Sequence, residues 1–319
     1  MTRTAASRKH KGFDLEKRLS AVEASVERHP AAWRGRWKCW HAGTLSSTAI
    51  EPAAAGSAAT AEAALAAASA APAWRHVRVD LGCGKGHFAV GMAQRNPDTL
   101  YVGLDVETVC VMHGAENAQT AGVPNAVFGI DEDPHLARLF APGEVDGVYL
   151  NFPAPFPKKK KAPFRLTYAN RLLEYRSVLA PGATIRLKTD SDPFMQFTLT
   201  QLELAHYQVL WQTDDFFAFC AERNWQPDPE TDYERRLVAK GARILALEAA
   251  PLPGPAPKPE EIVQTTPMSL FDYLPEDLDT LDYIPLGMDG AVENMRNRHA
   301  HEARRRNKET QADEKKAEG

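Results

Sequence analysis

The chain has 319 residues, of which 44% are hydrophobic, so it is long enough for one large domain or two small ones around a sizeable core. It contains no run of about 18 apolar residues, and its basic N-terminus lacks an apolar segment, which argues against a transmembrane helix and a secretory signal. The four cysteines show no CxxC spacing, so we expect neither a metal site nor a disulfide framework. This cysteine usage fits a reducing compartment, and we expect a cytoplasmic protein.

The net charge of −4 is the sum of blocks of opposite sign. Residues 1–38 carry ten Lys and Arg against four Asp and Glu, and residues 156–188 carry nine against one. Residues 258–293 reverse the balance, with one against nine. Because local charge decides where a polyanion docks, the two basic blocks favour a nucleic-acid partner, although a solvated face is the alternative for either block alone.

The N-terminal quarter of the chain contains three kinds of sequence. Residues 13–28 place apolar side chains on one helical stripe, and a Trp-rich stretch, Trp33 to Trp40, follows. Residues 53–73 then include fourteen alanines in twenty-one positions, which predicts a mobile linker or a weak helix. We therefore divide this part into a basic helix with its Trp-rich lead-in (1–50) and an Ala-rich insert (51–74).

Short apolar runs alternate with helical patterns from about residue 75 to residue 249. This alternation predicts an α/β domain with a doubly wound, mostly parallel, seven-stranded Rossmann-like sheet. The predicted strands are 76–81, 100–105, 125–130, 145–150, 184–188, 207–211 and 242–248. The predicted helices are 87–95, 108–120, 134–140, 167–179 and 192–204. Ligands of such sheets bind beyond the carboxyl ends of the strands.

The last segment, residues 250–319, begins with a Pro-rich stretch and continues as an acidic and then a basic sequence. Its composition is typical of a disordered tail or a peripheral appendage. An acidic block folding over a basic surface as a nucleic-acid mimic is the less favoured alternative.

A glycine-rich turn, VDLGCGKGHF, follows the first strand of the predicted sheet. Gly82, Gly84 and Gly86 have the spacing GxGxG, which differs from the GxGxxG of dinucleotide dehydrogenases. Such a turn offers backbone N–H groups and close approach to a ligand, although a purely structural strand-to-helix turn is the alternative.

Acidic residues end the first three strands of the predicted sheet: Asp80, Asp105 and Asp131. Asp105 lies where an acid can accept from both ribose hydroxyls of a nucleotide-like cofactor. Three acids at successive strand ends suit an adenosine that carries a positive centre, and S-adenosylmethionine is that molecule.

Three further motifs fall at the same edge of the sheet. Residues 151–161, NFPAPFPKKKK, form a proline-stiffened turn that runs into four lysines, which suits phosphate binding. Lys188-Thr-Asp190 ends the fifth strand, and Thr231-Asp-Tyr-Glu234 precedes the last one. Each of these could instead be a surface loop, a turn or a helix N-cap.

These blocks, taken in order, resemble the tRNA (guanine-N7-)-methyltransferases of the TrmB type. The resemblance is carried by VDLGCGKGHF, YVGLD, FAPGEVDGVYLNFPAPFPKKKK, RLTY, LAPGATIRLKTD and TDYERRLVAKG, and it covers about residues 30–248. It implies a class I methyltransferase fold, S-adenosylmethionine as methyl donor and a guanine of the tRNA variable loop as acceptor. A monomer or a homodimer without membrane or metal partners is expected.

The resemblance also assigns residues to the site. It implies cofactor binding by six residues: Asp80, Gly82, Gly84, Gly86, Asp105 and Asp131. It implies tRNA contacts by six others: Lys158, Asp190, Thr231, Asp232, Tyr233 and Glu234. The family's proline turn carries an Asp where this chain has Ala154. The catalytic residue is therefore unknown, with Asp190 the first candidate substitute and Glu234 the second.

Three functions remain open from the sequence. The first is N7 methylation of a tRNA guanine. The second is an RNA-binding member of the fold with weakened or lost chemistry, because the acid at Ala154 is missing. The third is a methyltransferase with a shifted acceptor, because Asn151 and Phe152 are similar to the turns of amino-methylating enzymes. An oxidoreductase is disfavoured by the GxGxG spacing.

Overall fold

A computed structural model describes residues 14–42, 73–130, 135–281, 283–285, 287–298 and 300–302. In these residues, eight strands form one sheet in the order β1-β4-β3-β2-β5-β6-β8-β7. All neighbouring pairs are parallel except those of β8, which runs antiparallel to β6 and β7. The strands are β1 (Val26–Glu27), β2 (His76–Leu81), β3 (Thr99–Asp105), β4 (Ala126–Ile130), β5 (Val145–Asn151), β6 (Leu179–Thr189), β7 (Tyr207–Thr213) and β8 (Leu245–Pro251). The predicted doubly wound, mostly parallel α/β sheet is confirmed.

Helices cover both faces of the sheet and bury its central strands. They are α1 (Leu15–Ala21), α2 (His87–Arg95), α3 (Thr108–Ala121), α4 (Leu136–Leu139), α5 (Ala169–Val178), α6 (Asp192–Leu204), α7 (Phe216–Glu222) and α8 (Asp232–Val238). Side chains of α1, α2 and α3 form the core on one face, and those of α4, α5 and α6 belong to the core on the other. The apolar runs of β2 to β6 fit this double coverage, as parallel strands usually do.

The chain order of the strands places a crevice at one point of the sheet. From β2 the chain winds outward through β3 and β4, and then crosses back to place β5 on the other side of β2. The crevice of an open α/β sheet lies where the winding direction changes, outside the carboxyl ends of the strands. Here that point is the end of β2, at Asp80, beside the end of β5, at Asn151.

Some predicted elements have different bounds in the structure. The helices predicted at 87–95 and 192–204 match α2 and α6, whose first turns are fixed by Gly86 in a left-handed conformation and by the Ser191 cap. The strand predicted at 242–248 instead runs over Leu245–Pro251, and the helix predicted at 134–140 is the single turn α4. Helices α7 and α8, each of seven residues, were not predicted.

The N-terminal lead-in adds a strand to the predicted seven. The helical stripe predicted over 13–28 ends as a helix at Ala21, and Val26 and Glu27 pair with Phe128 and Gly129 of β4. The sequence pattern missed this strand because two residues show no period.

Three tryptophans of the lead-in are buried, and the ring nitrogens of Trp33 and Trp37 are hydrogen-bonded. Trp33 Nε1 donates to Glu27 Oε2 at 2.6 Å, and Trp37 Nε1 donates to the Leu139 carbonyl at 2.9 Å. The carboxylate of Glu144 accepts the backbone N–H of Trp37 at 2.8 Å. Trp33, Trp37 and Trp40 belong to the same core as the sheet. The lead-in is therefore packed as part of the α/β domain.

Of the segment predicted to be a disordered tail or a peripheral appendage, residues 303–319 lie outside the described residues, and the described part before them packs on the domain. Leu270, Met288 and Val292 are buried in the main core, and residues 289–298 are helical. The Leu270 N–H donates to the Pro157 carbonyl at 2.9 Å, so the segment also reaches the proline turn. Apolar side chains scattered among acids supply this packing, which average composition conceals. We call the described residues between 252 and 298 the C-terminal strap.

Two features of the described residues bear on the expected partners. No helix among them is long and apolar enough to cross a membrane. No group of three His, Cys, Asp or Glu side chains in the described ranges is arranged to hold a metal ion.

Candidate active site

The glycine turn between β2 and α2 has the backbone that its sequence predicts. Gly82, Gly84 and Gly86 have φ angles of 77°, 52° and 71°, which L side chains rarely adopt. A Cβ at Gly86 would also come within 2.5 Å of the Phe128 ring. Glycine is therefore required at this position both for the backbone conformation and for the close packing of the turn.

The turn is fixed by Asp105 at the end of β3. Its carboxylate accepts the Gly84 N–H at 2.8 Å and the Glu107 N–H at 2.9 Å. Each carboxylate oxygen has a second lone pair, so Asp105 can still accept from a ligand hydroxyl. Its position at the strand end fits the predicted ribose contact, which stays a prediction.

Asp80, at the end of β2, is almost fully buried beside Asn151 of β5. The Asn151 amide donates to Asp80 Oδ1 at 3.1 Å, while Oδ2 has no hydrogen-bond partner among the described residues. Burial raises the pKa of the Asp80 carboxyl to about 7, against the opposing effects of Asn151 and Lys188. A buried carboxylate oxygen without a partner is costly, so it indicates a missing donor or cation.

A cavity of about 300 Å³ lies against these residues, bounded by Asp80, the glycine turn, Asn151 and Phe152 on the sheet side. Residues Thr231 to Tyr233 of the last motif form another wall. This volume is at the lower end of the range for small-molecule sites. S-adenosylmethionine fits the donor set, because the free Asp80 oxygen suits its ammonium group. Lys85 and Arg236, which also line the cavity, suit its carboxylate.

Two cysteines line the same cavity. Burial raises the pKa of Cys110 to about 11 and the pKa of Cys83 well above its usual value. Both therefore remain thiols at neutral pH, and neither is activated as a nucleophile.

Lys188 and Glu234 form an ion pair beneath the cavity. Both side chains have 0% exposure, and Lys188 Nζ lies 2.9 and 3.1 Å from the two carboxylate oxygens. The ammonium also lies over the rings of Phe88, Phe152 and Phe216 at 5.4 to 5.8 Å. Burial raises the pKa of Glu234, although the Lys188 charge opposes that rise.

The burial of Glu234 bears on two roles predicted from the sequence, a contact with tRNA and a substitute for the acid missing at Ala154. Its carboxylate has no exposed surface and is paired with Lys188, so either role would require this pair to open, and both stay predictions. Thr231 and Glu234 form a capping box at the start of α8: Thr231 Oγ1 accepts the Glu234 N–H at 3.0 Å, and the Glu234 carboxylate accepts the Thr231 N–H at 3.3 Å. The spacing TxxE carries this signal in the sequence.

The capping box presents the next two residues of α8 to the cavity. Asp232 pairs with Arg235 and lies 3.6 Å from the His87 ring nitrogen. The ring of Tyr233 packs on Phe152, with centroids 5.6 Å apart. Both side chains are partly exposed, and their roles as substrate contacts stay predictions.

The proline turn after β5 is held by an arginine that the sequence analysis did not single out. Arg165 is fully buried and donates to the carbonyls of Pro155, Phe156 and Pro157 at 2.8 to 3.3 Å. Its guanidinium lies 4.2 Å from the centroid of the Phe197 ring.

The same turn exposes the residues expected to meet the substrate. Ala154 is exposed on it, and so are Lys158 to Lys161 after it. The lysines thus lie where a polyanion can reach them, although their contacts with tRNA stay a prediction.

Asp190, the first candidate substitute for the missing acid, receives a partner from the C-terminal strap. The Tyr283 hydroxyl donates to Asp190 Oδ2 at 2.7 Å, and Asp190 remains partly exposed. Burial and the Asp190 charge raise the pKa of Tyr283, so the hydroxyl is a stable donor. No pattern in the sequence connects Tyr283, 93 residues away, with this carboxylate.

The structure thus brings most of the predicted residues to one edge of the sheet. Two of them lie at the ends of strands, Asp80 in β2 and Asp105 in β3. The others follow: the glycine turn comes after β2, Lys158 after β5 and Asp190 after β6, and the last motif begins α8. Asp131 lies outside the described residues, so its predicted role stays a prediction. Lys188, Asn151, Arg165 and Tyr283 are the structural partners that the sequence analysis did not identify as such.

The domain that carries this site matches, over residues 75–247, the family described as "Putative methyltransferase". A tRNA (guanine-N(7)-)-methyltransferase of Brevibacillus brevis is 32% identical over 174 residues, which are 54% of this chain and 80% of that protein. The Lactococcus lactis subsp. cremoris enzyme of the same name is 33% identical, over 56% of this chain and 81% of its own. The Streptococcus suis enzyme is 34% identical, over 54% and 80%.

Proposed function

Because the chain belongs to the TrmB-type methyltransferase family, we propose that it transfers a methyl group to N7 of a guanine in the variable loop of tRNA. The donor in this family is S-adenosylmethionine, which supplies an electrophilic methyl group on a sulfonium when bound. One observation carries the proposal: a cavity beside the glycine turn contains a buried Asp80 oxygen with no partner among the described residues.

The chemistry asks the protein mainly for alignment. Guanine N7 has an in-plane lone pair and needs no deprotonation before it attacks a methyl group. Holding the reacting atoms in line therefore provides most of the acceleration. Asp80, Asp105 and the glycine turn would fix the donor from below, while Phe152 and Tyr233 bound the cavity with a pair of packed rings.

The acceptor side needs a group that selects guanine. A carboxylate suits the N1–H and N2–H₂ edge of the base, and charged hydrogen bonds contribute about 1.5–3 kcal/mol each. Ala154 cannot supply them. Asp190 can, because Tyr283 occupies Oδ2 and leaves Oδ1 available. We propose that Asp190, held by Tyr283, selects the guanine.

A single-turnover assay on unmodified tRNA tests the proposal, with identification of the methylated atom in the product. We expect N7-methylguanosine from the wild type, and a rate at least about 10²-fold lower from Asp190→Asn, as the loss of charged hydrogen bonds predicts. Ala154→Asp is the matched gain-of-acid variant. Because Ala154 is exposed, a carboxylate there carries little desolvation cost.

The outcomes separate the candidate functions. A wild type that is slow and becomes faster by about 10²-fold on Ala154→Asp would be an enzyme that lacks its aiming acid. If the wild type binds tRNA and both it and Ala154→Asp are inactive, the protein is an RNA-binding member of the fold. The missing acid makes this the second candidate function. Methylation of another atom would establish a shifted acceptor.

A further inference from the structure

Two phenylalanine rings lie exposed beside the lysine run. Phe164 is 59% exposed and Phe156 is 38% exposed. No other phenylalanine in the described ranges is as exposed. Their ring centroids are 6.4 Å apart. The Lys161 ammonium lies 4.8 Å from the centroid of the Phe164 ring. The two ring planes are inclined at 60° to each other, so each ring presents its own face, and the Phe164 ring also carries a cation.

This surface is rigidly supported from inside the protein. Buried Arg165 holds three successive carbonyls of the turn, including that of Phe156 itself. Phe156 has a φ of 43°, a strained value for a residue with a side chain, so the surrounding structure must hold it there. A turn whose backbone is already held in place loses little backbone conformational entropy when a ligand binds to it.

The C-terminal strap does not cover the two phenylalanine rings. It docks on this turn, where the Leu270 N–H donates to the Pro157 carbonyl, and both rings remain exposed with it in place. Four exposed lysines, residues 158–161, lie between Phe156 and Phe164 in the chain, and Lys161 contacts the Phe164 ring, so a polyanion suits this surface better than an apolar protein surface.

We propose that the exposed Phe164 ring, flanked by the inclined Phe156 ring, is a stacking platform for an unpaired base of the RNA substrate, next to the base that is methylated. This inference rests on the proposed function, since it takes RNA as the ligand. Every nucleobase has a π-face, so aromatic platforms within basic grooves bind single-stranded nucleic acid without sequence preference. The lysines would contact the flanking phosphates, and the base would stack on the face of the Phe164 ring that the Lys161 ammonium does not cover.

Stacking and charge can be separated by salt. The affinity of the full-length protein for unmodified tRNA is measured by fluorescence anisotropy at several salt concentrations. Phe164→Ala should weaken binding by about 5- to 100-fold and leave the slope of log affinity against log salt unchanged. Lys160→Ala should instead flatten the slope by about 0.7 to 0.9. Phe164→Trp should bind at least as well as the wild type.

Two controls confine the effect to stacking. Val263→Ala removes an exposed apolar side chain near the far end of α6, and it should bind like the wild type. A fully paired RNA duplex offers no unpaired base, so the wild type and Phe164→Ala should bind it equally. Calorimetry with S-adenosylhomocysteine checks that each variant is folded, and Phe164→Leu, which keeps the apolar volume, replaces Phe164→Ala if that variant is not.

The platform is refuted if Phe164→Ala binds tRNA like the wild type, or if it loses as much affinity for the duplex as for tRNA. A wild type that binds and methylates tRNA with no effect of Phe164 would remove the platform and leave the proposed function standing. A wild type that does not bind tRNA would remove both.

Discussion

The buried carboxyl of Asp80 should make cofactor binding depend on pH. Its pKa of about 7 in the ligand-free protein means that at pH 6 only about a tenth of the molecules carry the charge that an ammonium group needs. Affinity for S-adenosylhomocysteine should then fall nearly tenfold per pH unit below 7. Between pH 7.5 and 5.5 the dissociation constant should rise by roughly 20- to 30-fold.

The variant Asp80→Asn removes the charge and keeps the size of the side chain. It should bind the ligand at least about tenfold more weakly at pH 7.5, and it should lose the nearly tenfold fall in affinity per pH unit below 7. Isothermal titration calorimetry in buffers of different ionisation enthalpy measures both the affinity and the proton balance. Binding to the wild type at pH 6 should release close to one proton, and binding to Asp80→Asn should release none.

The same carboxyl should make the stability of the ligand-free protein fall as the pH rises, whereas cofactor affinity should increase. Folding raises its pKa from about 3.8 to about 7, so its protonated form is favoured in the folded state. The ligand-free protein therefore loses stability as the pH rises from about 4 through about 7, by roughly a few kcal/mol in total. At pH 8 the ligand-free Asp80→Asn variant should unfold at a higher denaturant concentration than the wild type. Retained pH dependence in Asp80→Asn, or no proton release by the wild type, would refute this reasoning.

Three other changes have expected outcomes that differ in kind. Glu234→Gln leaves the Lys188 ammonium buried without its counter-charge. It should lower the free energy of unfolding, measured by urea titration, by about 3–5 kcal/mol. Adding Lys188→Met to the same chain should recover part of the loss. Tyr283→Phe removes the hydroxyl that holds Asp190, and should lower kcat on tRNA by about tenfold with unchanged binding of S-adenosylhomocysteine; an unchanged kcat would mean that the strap is structural. Asp105→Ala frees the Gly84 and Glu107 N–H groups, and should weaken cofactor binding by about tenfold or more in calorimetry, whereas equal affinity would exclude the ribose contact.

The division of the chain into a lead-in, an insert, a methyltransferase domain and a tail remains a prediction in its boundaries. The structure nevertheless joins its described parts more closely than composition indicated. Trp33 and Trp37 of the lead-in and Leu270 and Met288 of the strap share one core with the sheet. Composition averages over a segment, whereas packing depends on a few apolar side chains at particular positions.

The sequence by itself determined the sheet class, the glycine turn and most of the edge at which the site lies. These features follow from local rules: the alternation of strand and helix patterns, the need for glycine where φ is positive, and the meeting of parallel strand ends at one edge. The placement of Asp80 and Asp105 at strand ends could therefore be predicted without coordinates.

Tertiary structure alone decided what several of these side chains do. Glu234 has the sequence context of a substrate contact, yet the fold buries it against Lys188, 46 residues away. Asp190 has the context of a lone strand-end acid, yet the strap brings Tyr283 to it. The unpaired oxygen of Asp80 became evident only when its neighbours were placed. Burial and partners are set by contacts between distant segments, and local sequence patterns carry no information about those contacts.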